Sequence, residues 1–110
     1  MYEISKSDWK LFREKVGDWQ ERHMEKLCEK YVRLLKSDKL PSEKFWALEK
    51  RIKIDKRNKG VLIELRKSEA LFDVVDFLKQ KTITMEDLAD FSYDFKETVQ
   101  YIIDLSQKHN

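Results

Sequence analysis

Residues 6–37 read KSDWKLFREKVGDWQERHMEKLCEKYVRLLKS, and this stretch decides the fold. Ser5 or Ser7 can cap its first turn, because a serine hydroxyl accepts a hydrogen bond from a free backbone N–H at a helix start. We therefore predict one long N-terminal helix. At 1.5 Å per residue it would be roughly 45 Å long.

The apolar residues of this helix recur at the spacing of a packed face. They fall in two segments of 3-4-3 spacing, and a five-residue step near His23 shifts the phase between them. Gly17 either permits a bend or a close helix crossing or has no special role. A compact chain of this size has a radius of gyration of about 13 Å, so we expect the helix to bend, the molecule to be elongated, or the overhang to pack on a partner. The spaced positions are Trp9, Phe12, Val16, Trp19, Met24, Leu27, Tyr31 and Leu34.

A clear break follows at residues 37–42, Ser-Asp-Lys-Leu-Pro-Ser. Pro41 ends the first helix, and Ser42 is predicted to cap a second one that ends before Gly60, a left-handed C′ residue. A short connection between two amphipathic helices predicts an antiparallel hairpin. Its expected seam contains Trp9, Phe12, Trp19, Tyr31, Phe45 and Trp46, with the outer face of the second helix as the alternative for Trp46.

The rest of the chain predicts two or three shorter packed helices. Residues 61–66 suit either a helical turn or an extended linker. Ser68 is expected to cap a helix to about residue 80 with Leu71, Phe72, Val75 and Leu78 inward. Thr84 and Asp87 resemble a capping box at the start of a short helix that runs to Phe91, and Ser92 is expected to cap the last helix. The predicted fold is all-α, a single helical domain over residues 1–110.

Composition supports this fold class. The 110 residues are 41% hydrophobic and 40% charged, with 13 aromatic side chains available for a core. Two glycines and one proline are too few for the corners of a β-sandwich or barrel. Cys28 is the sole cysteine, which excludes an intramolecular disulfide and suits a reducing cytoplasm. No apolar run approaches the roughly 20 residues of a membrane-spanning helix, so we expect no membrane association.

The net charge of +2 conceals an asymmetry, since residues 1–67 carry +7 and residues 68–110 carry −5. The densest basic run is either a solvated helix end or a patch for an anionic partner, such as nucleic acid or the acidic half of another copy. It consists of Lys50, Arg51, Lys53, Lys56, Arg57 and Lys59.

A second cluster is acidic and lies at two predicted helix starts, where carboxylates favour the helix dipole. We expect Asp87, Asp90 and Asp94 to share one helical face. The acids either serve those helix starts or form an interaction face. A helix-turn-helix over this region is disfavoured, because its second helix would repel phosphates. The acidic set is Glu86, Asp87, Asp90, Asp94 and Glu97.

No catalytic, cofactor or metal site can be assigned from the sequence, and we expect a protein that is not an enzyme. His23 and Cys28 are about 140° apart around a helix, so they cannot bind one metal ion together. His23 is expected to be partly buried and Cys28 to be a buried structural residue. Two glycines cannot build a phosphate-binding loop.

Three stretches, residues 44–53, Gly60-Val61 and residues 83–92, resemble those of an uncharacterised family of small helical proteins from Firmicutes. Some members of that family carry the label "multidrug transporter". The label conflicts with the absence of a spanning segment in this chain, so we reject it. The resemblance implies no function.

The function predicted from sequence is that of a small bacterial interaction or regulatory protein, which uses a helical surface and forms a homodimer. In that dimer each basic region would meet the acidic region of the other copy. One alternative is nucleic-acid binding through the basic run at residues 50–59. The other is a mobile-element inhibitor whose acidic C-terminal face occupies a partner's nucleic-acid site.

Overall fold

A computed structural model describes residues 2–108, and every regular element in that range is helical. Helix α1 covers Lys6–Leu35, α2 Pro41–Asp55, α3 Ala70–Lys79 and α4 Tyr93–Lys108. Short 3₁₀ turns at Lys67–Glu69 and Met85–Leu88 precede α3 and α4. The predicted all-α class, with a long first helix followed by shorter ones, is confirmed.

The chain divides into two compact units, which we describe separately. The core unit consists of Met1–Trp19 and Glu64–Asn110, and the hairpin unit is Gln20–Ile63. The first half of α1 therefore belongs to the core unit and its second half to the hairpin unit. That the chain acts as a single domain stays a prediction.

Aromatic rings form the centre of the core unit. Trp19 packs edge to face on Phe77, with centroids 5.6 Å apart, and its ring lies 6.4 Å from Phe91. Phe91 in turn stacks on Phe95 at 5.0 Å. These contacts join α1 to α3, to α4 and to the segment between them. The buried apolar residues of the unit are Ile4, Phe12, Val16, Trp19, Ala70, Leu71, Val74, Val75, Phe77, Ile83, Leu88, Phe91, Phe95 and Val99.

A buried carboxylate connects the starts of α1 and α4. Ser5 caps α1, since its Oγ accepts a hydrogen bond from the backbone N–H of Asp8 at 3.1 Å. The Asp8 carboxylate is 1% exposed and accepts hydrogen bonds from the backbone N–H and the hydroxyl of Ser92, at 2.8 and 2.6 Å. Ser92 Oγ accepts the N–H of Phe95 at 3.2 Å. The predicted caps at Ser5 and Ser92 are confirmed. Asp8 connects the two, because its N–H donates to Ser5 and its carboxylate accepts from Ser92.

Two other predicted caps are wrong. The N-cap of α2 is Leu40, not Ser42, and it makes no side-chain hydrogen bond. Pro41 at the first helical position fixes a helical φ and has no N–H to satisfy, so a side-chain cap is less needed there. Ser68 lies within the 3₁₀ turn, and Glu69 takes the N-cap position of α3.

The capping box before α4 is confirmed, with a shorter helix than expected. The backbone N–H of Thr84 donates to Asp87 Oδ2 at 2.8 Å. The turn that it starts is the 3₁₀ segment Met85–Leu88, which does not continue to Phe91.

Residues 62–66 form neither helix nor strand, so the linker alternative holds for most of 61–66. Phe72, predicted to face inward, is exposed, because α3 turns Val74 and Phe77 to the core instead.

Among residues 2–108 the left-handed position is Lys81, not Gly60. Lys81 has φ 61° and follows α3, where the N–H of Thr82 donates to the carbonyl of Phe77 at 3.0 Å. This bond and that from Lys81 N–H to Leu78, also 3.0 Å, form the Schellman pattern that ends a helix.

Gly60 does not have a positive φ. Its role is to let the backbone at residue 60 lie close to the His23 side chain of α1, within the hairpin unit. A Cβ at residue 60 would lie 2.2 Å from Cγ of His23, far inside van der Waals contact. Glycine is therefore required so that the chain after α2 can pass against α1.

Gly17 has no such constraint. No heavy atom beyond its own helix lies within 4 Å of the position that a Cβ would take, which removes the close-crossing alternative. We predict that Gly17→Ala raises the free energy of unfolding by about 0.5–1 kcal/mol, because alanine loses less backbone entropy in a helix. Urea unfolding followed by circular dichroism measures this. A lower midpoint in the variant would contradict the open environment of residue 17.

Candidate interaction surface

The hairpin unit is stabilised by buried apolar residues and by hydrogen bonds between α1 and the returning chain. Within Gln20–Ile63, Leu27 and Leu34 are the buried apolar residues. The Tyr31 hydroxyl donates to the Asp55 carboxylate at 2.5 Å, which joins α1 to the end of α2. The Gln20 amide donates to the carbonyl of Lys59 at 3.1 Å. Later residues of α1 thus meet earlier residues of the returning chain, as expected for an antiparallel hairpin.

His23 explains the irregular apolar spacing of α1. The inward positions run Trp19, His23, Leu27, Tyr31 and Leu34, so the histidine takes the place that the sequence pattern gave to Met24. His23 is half-buried, as predicted, and Met24 is exposed. Burial lowers the pKa of His23, an effect that the charge of Asp55 opposes.

Helix α2 carries its largest side chains on the outside. None of its residues is buried, and Phe45 and Trp46 are 63% and 61% exposed. Their rings contact each other edge to face, with centroids 4.9 Å apart at 84°. The predicted place of Phe45 in the hairpin seam is therefore wrong, and for Trp46 the outer-face alternative holds. Ala47 and Leu48 are the half-buried apolar residues of this helix, so α2 is rotated relative to the prediction.

Basic residues accompany this aromatic pair. Lys50 and Lys53 lie one and two turns beyond Trp46 on the same side of α2, and both are exposed. Ile52 lies two turns beyond Phe45 and is 36% exposed. We call these five residues, Phe45, Trp46, Lys50, Ile52 and Lys53, the aromatic–basic surface.

The predicted basic run does not form one helical stripe. Lys50, Arg51 and Lys53 belong to α2, whereas Lys56 is its C-cap and Arg57 and Lys59 lie in the following turns. Arg51 points towards α1, where it lines a small cavity of about 350 Å³ together with Tyr31 and Asp55. The run is thus divided between two sides of the hairpin unit.

The hairpin unit as a whole is basic and rich in exposed apolar side chains. It has thirteen Lys and Arg against seven Asp and Glu, a net charge of +6, whereas the core unit has ten against fourteen, or −4. Nine of its large apolar residues are exposed. They are Met24, Val32, Leu35, Leu40, Phe45, Trp46, Ile52, Ile54 and Leu62.

An apolar groove of about 700 Å³ lies on the core unit. Its walls come from the segment before α1, the start of α3 and the middle of α4. Glu3, Lys67, Ser68 and Thr98 supply polar groups around it. We call this feature the core groove; its apolar walls are Tyr2, Ile4, Leu71, Phe72, Tyr101 and Ile102.

Asp87, Asp90 and Asp94 do not share one helical face, because the five acidic residues are divided between a 3₁₀ turn, a loop and α4. Glu86 and Asp87 lie in the 3₁₀ turn, Asp90 follows it, and Asp94 and Glu97 lie on α4. The chain leaves helical geometry between residues 89 and 92, which breaks the assumed spacing. Asp87 is used in the capping box, and Asp90 Oδ2 is 3.9 Å from Lys15 Nζ.

Cys28 is exposed, which contradicts its prediction as a buried structural residue. The reason is its place in α1, next to Leu27 but about 100° away from the inward face. Among residues 2–108, no group of three or more His, Cys, Asp or Glu side chains is placed to hold a metal ion.

The Tyr31–Asp55 contact gives the hairpin unit a pH-dependent element. Burial, the hydrogen bond to Asp55 and the charge of Asp55 together raise the pKa of Tyr31 to about 12. The folded state therefore holds this proton more tightly than the unfolded state, whose pKa is 10.0. The resulting stabilisation is complete below pH 10 and is lost as the pH rises through about 12.

We predict that Tyr31→Phe removes this alkaline component. Tyrosinate absorbance should lose its highest-pH step in the variant, and the unfolding midpoint should depend less on pH above 10. Tyr101→Phe, at an exposed position, is the matched control and should leave that step in place. If the highest-pH step of tyrosinate absorbance persists in Tyr31→Phe, the assignment of that step to the Tyr31–Asp55 hydrogen bond is wrong.

Comparison with known proteins adds no relative: no family model, curated protein or solved structure matches the chain. The resemblance to small Firmicutes proteins stays a prediction. Across residues 2–108, none of the helices combines the length and the apolar character needed to cross a membrane.

Proposed function

We propose that this protein is a non-enzymatic interaction protein of the bacterial cytoplasm, that its hairpin unit is the docking element, and that its first partner is a second copy of the same chain. The observation that supports this most strongly is α2, a helix of 15 residues that buries none of them. A helix normally owes most of its stability to the burial of one face. The outward aromatic pair supplies such a face for a partner.

The chemistry of the aromatic–basic surface suits a protein interface. Trp, Phe, Met and Arg are enriched at interfaces, and buried aromatic residues most often carry the binding energy. Exposed apolar residues are normal when scattered, but large contiguous patches mark interaction sites. Phe45, Trp46 and Ile52 lie on neighbouring turns of one side of α2 and form such a patch.

Charge favours a second copy as the partner. The hairpin unit carries +6 and the core unit −4, so the hairpin of one copy attracts the core unit of another. Two hairpin units facing each other would instead repel. A two-fold dimer that pairs unlike units makes the attractive contact twice.

Sedimentation equilibrium tests this proposal. We expect the wild type, whose monomer is 13.4 kDa, to sediment as a dimer at tens of micromolar in low salt and to dissociate partly in high salt. Trp46→Ser should raise the dissociation constant at least about tenfold, the loss expected when one buried interface aromatic is removed. Tyr93→Ser, at a residue 74% exposed and outside the aromatic–basic surface, is the matched control.

Two results would oppose the proposal. A monomer at all concentrations would exclude a second copy as the partner. A dimer that Trp46→Ser and Tyr93→Ser weaken equally would exclude the hairpin surface. A dimer that is indifferent to salt would remove the electrostatic explanation and leave the apolar contact.

Nucleic acid is the second candidate partner, and the exposed aromatic pair beside lysines is the observation that favours it. Bases of a single strand stack on such rings while cations contact the phosphates. Titration with a single-stranded oligonucleotide should then quench Trp46 fluorescence, with an affinity that falls steeply with salt. Lys50→Glu with Lys53→Glu should abolish this binding. Failure to quench at low salt would exclude this candidate.

A further inference from the structure

We propose that the core groove of one copy receives the aromatic pair Phe45–Trp46 of a second copy. This inference rests on the proposed function and specifies which surface the hairpin contacts. Both halves of the contact are exposed within a single chain, since the pair projects from α2 and the groove is open on the core unit.

The shape and chemistry of the groove fit aromatic side chains. Its volume of about 700 Å³ can admit two rings, and its walls are mainly apolar. Phe72 and Tyr101 flank it and are 51% and 63% exposed, so they can contact an entering ring edge to face. Burial of all four rings in one contact would remove a large apolar area from water on both copies.

Charge at the groove favours the basic hairpin unit over other apolar ligands. Glu3 is part of its lining, and the carboxylates of Asp8 and Asp94 are close enough to Tyr2 to raise its pKa, after the larger effect of burial. Lys67 is the cation at the groove. Lys50 and Lys53, which follow Trp46 on α2, complement the exposed carboxylates of Glu3 and Asp94, whereas an acidic partner would meet them with like charge.

Disulfide trapping between two differently tagged proteins tests the contact and avoids a bond within one chain. In both proteins Cys28→Ser removes the exposed native thiol. One carries Glu49→Cys, one turn beyond Phe45, and the other carries Ser68→Cys, an exposed and nearly isosteric change at the groove. The control partner carries Gln80→Cys, at the opposite end of α3.

We expect the Glu49→Cys and Ser68→Cys pair to form a mixed disulfide at least about tenfold faster than the Glu49→Cys and Gln80→Cys pair, because proximity raises the effective concentration of the thiols. Tyr101→Ser should also weaken the dimer in sedimentation, while Tyr93→Ser should not. Circular dichroism of each variant checks that it is folded.

The outcomes separate this inference from the proposed function. Equal trapping rates in a protein that still dimerises through Trp46 would overturn the groove contact and leave the hairpin as a docking element. Loss of dimerisation in Trp46→Ser with no effect of Tyr101→Ser would also count against the groove. A wild-type monomer would overturn both.

Discussion

Trp19→Ala is expected to lower the free energy of unfolding by about 3–5 kcal/mol, the range for removal of a large buried aromatic residue. Trp19 is 2% exposed and its ring contacts Phe12, Phe77 and Phe91. The substitution therefore leaves a cavity where α1, α3 and the segment before α4 meet. Urea unfolding, monitored by circular dichroism, measures the loss.

Trp46→Ala is the matched control for this experiment. The same chemical change at a residue 61% exposed should alter the unfolding free energy by no more than about 0.5 kcal/mol, provided that the protein is dilute enough to be monomeric. The sequence-based prediction places both tryptophans in a buried seam, with the outer face as the alternative for Trp46, and the structure places Trp46 on that outer face. Equal losses in the two variants would show that α2 has been assigned the wrong orientation.

Asp8→Ala is the second substitution with a large expected effect, a loss of about 2–4 kcal/mol. The Asp8 carboxylate accepts two hydrogen bonds from Ser92, and hydrogen bonds to charged groups each contribute about 1.5–3 kcal/mol. Its negative charge also lies at the start of α4, where the helix dipole favours an anion. Removal leaves the N–H of Ser92 without its acceptor.

Two further variants test that explanation. Asp18→Ala, at an exposed acid on the same helix, should change stability by less than about 0.5 kcal/mol. Asp8→Asn retains an acceptor oxygen and should cost less than Asp8→Ala. If Asp8→Ala and Asp18→Ala unfold at the same urea concentration, the link between the two helix starts contributes nothing.

The helices could be predicted because their signals are local. Serine caps at residues 5 and 92, the Thr84–Asp87 box and the break at Pro41 each act through neighbouring backbone groups. The orientation of α2 could not be predicted in this way. Its apolar residues occur on more than one side, and which side packs depends on Tyr31, His23 and other residues of α1 that are distant in sequence.

Only the charged part of the candidate interaction surface could be predicted from the sequence. The basic run at residues 50–59 was apparent, but it indicated charge without showing that Phe45 and Trp46 are exposed beside it. The core groove combines residues from three separate segments, so no local sequence pattern predicts it. Asp8 was missed for the same reason, because its partner Ser92 is 84 residues away.

Hydrogen exchange of α2 as a function of protein concentration tests the central claim most directly. Because none of its residues is buried in the single chain, Pro41–Asp55 should exchange fast in dilute solution and at least about tenfold more slowly once copies associate. The buried helix Ala70–Lys79 should exchange slowly at every concentration and serves as the internal reference. Exchange in α2 that is equally fast at all concentrations, up to those at which the protein sediments as a dimer, would contradict docking through the hairpin unit.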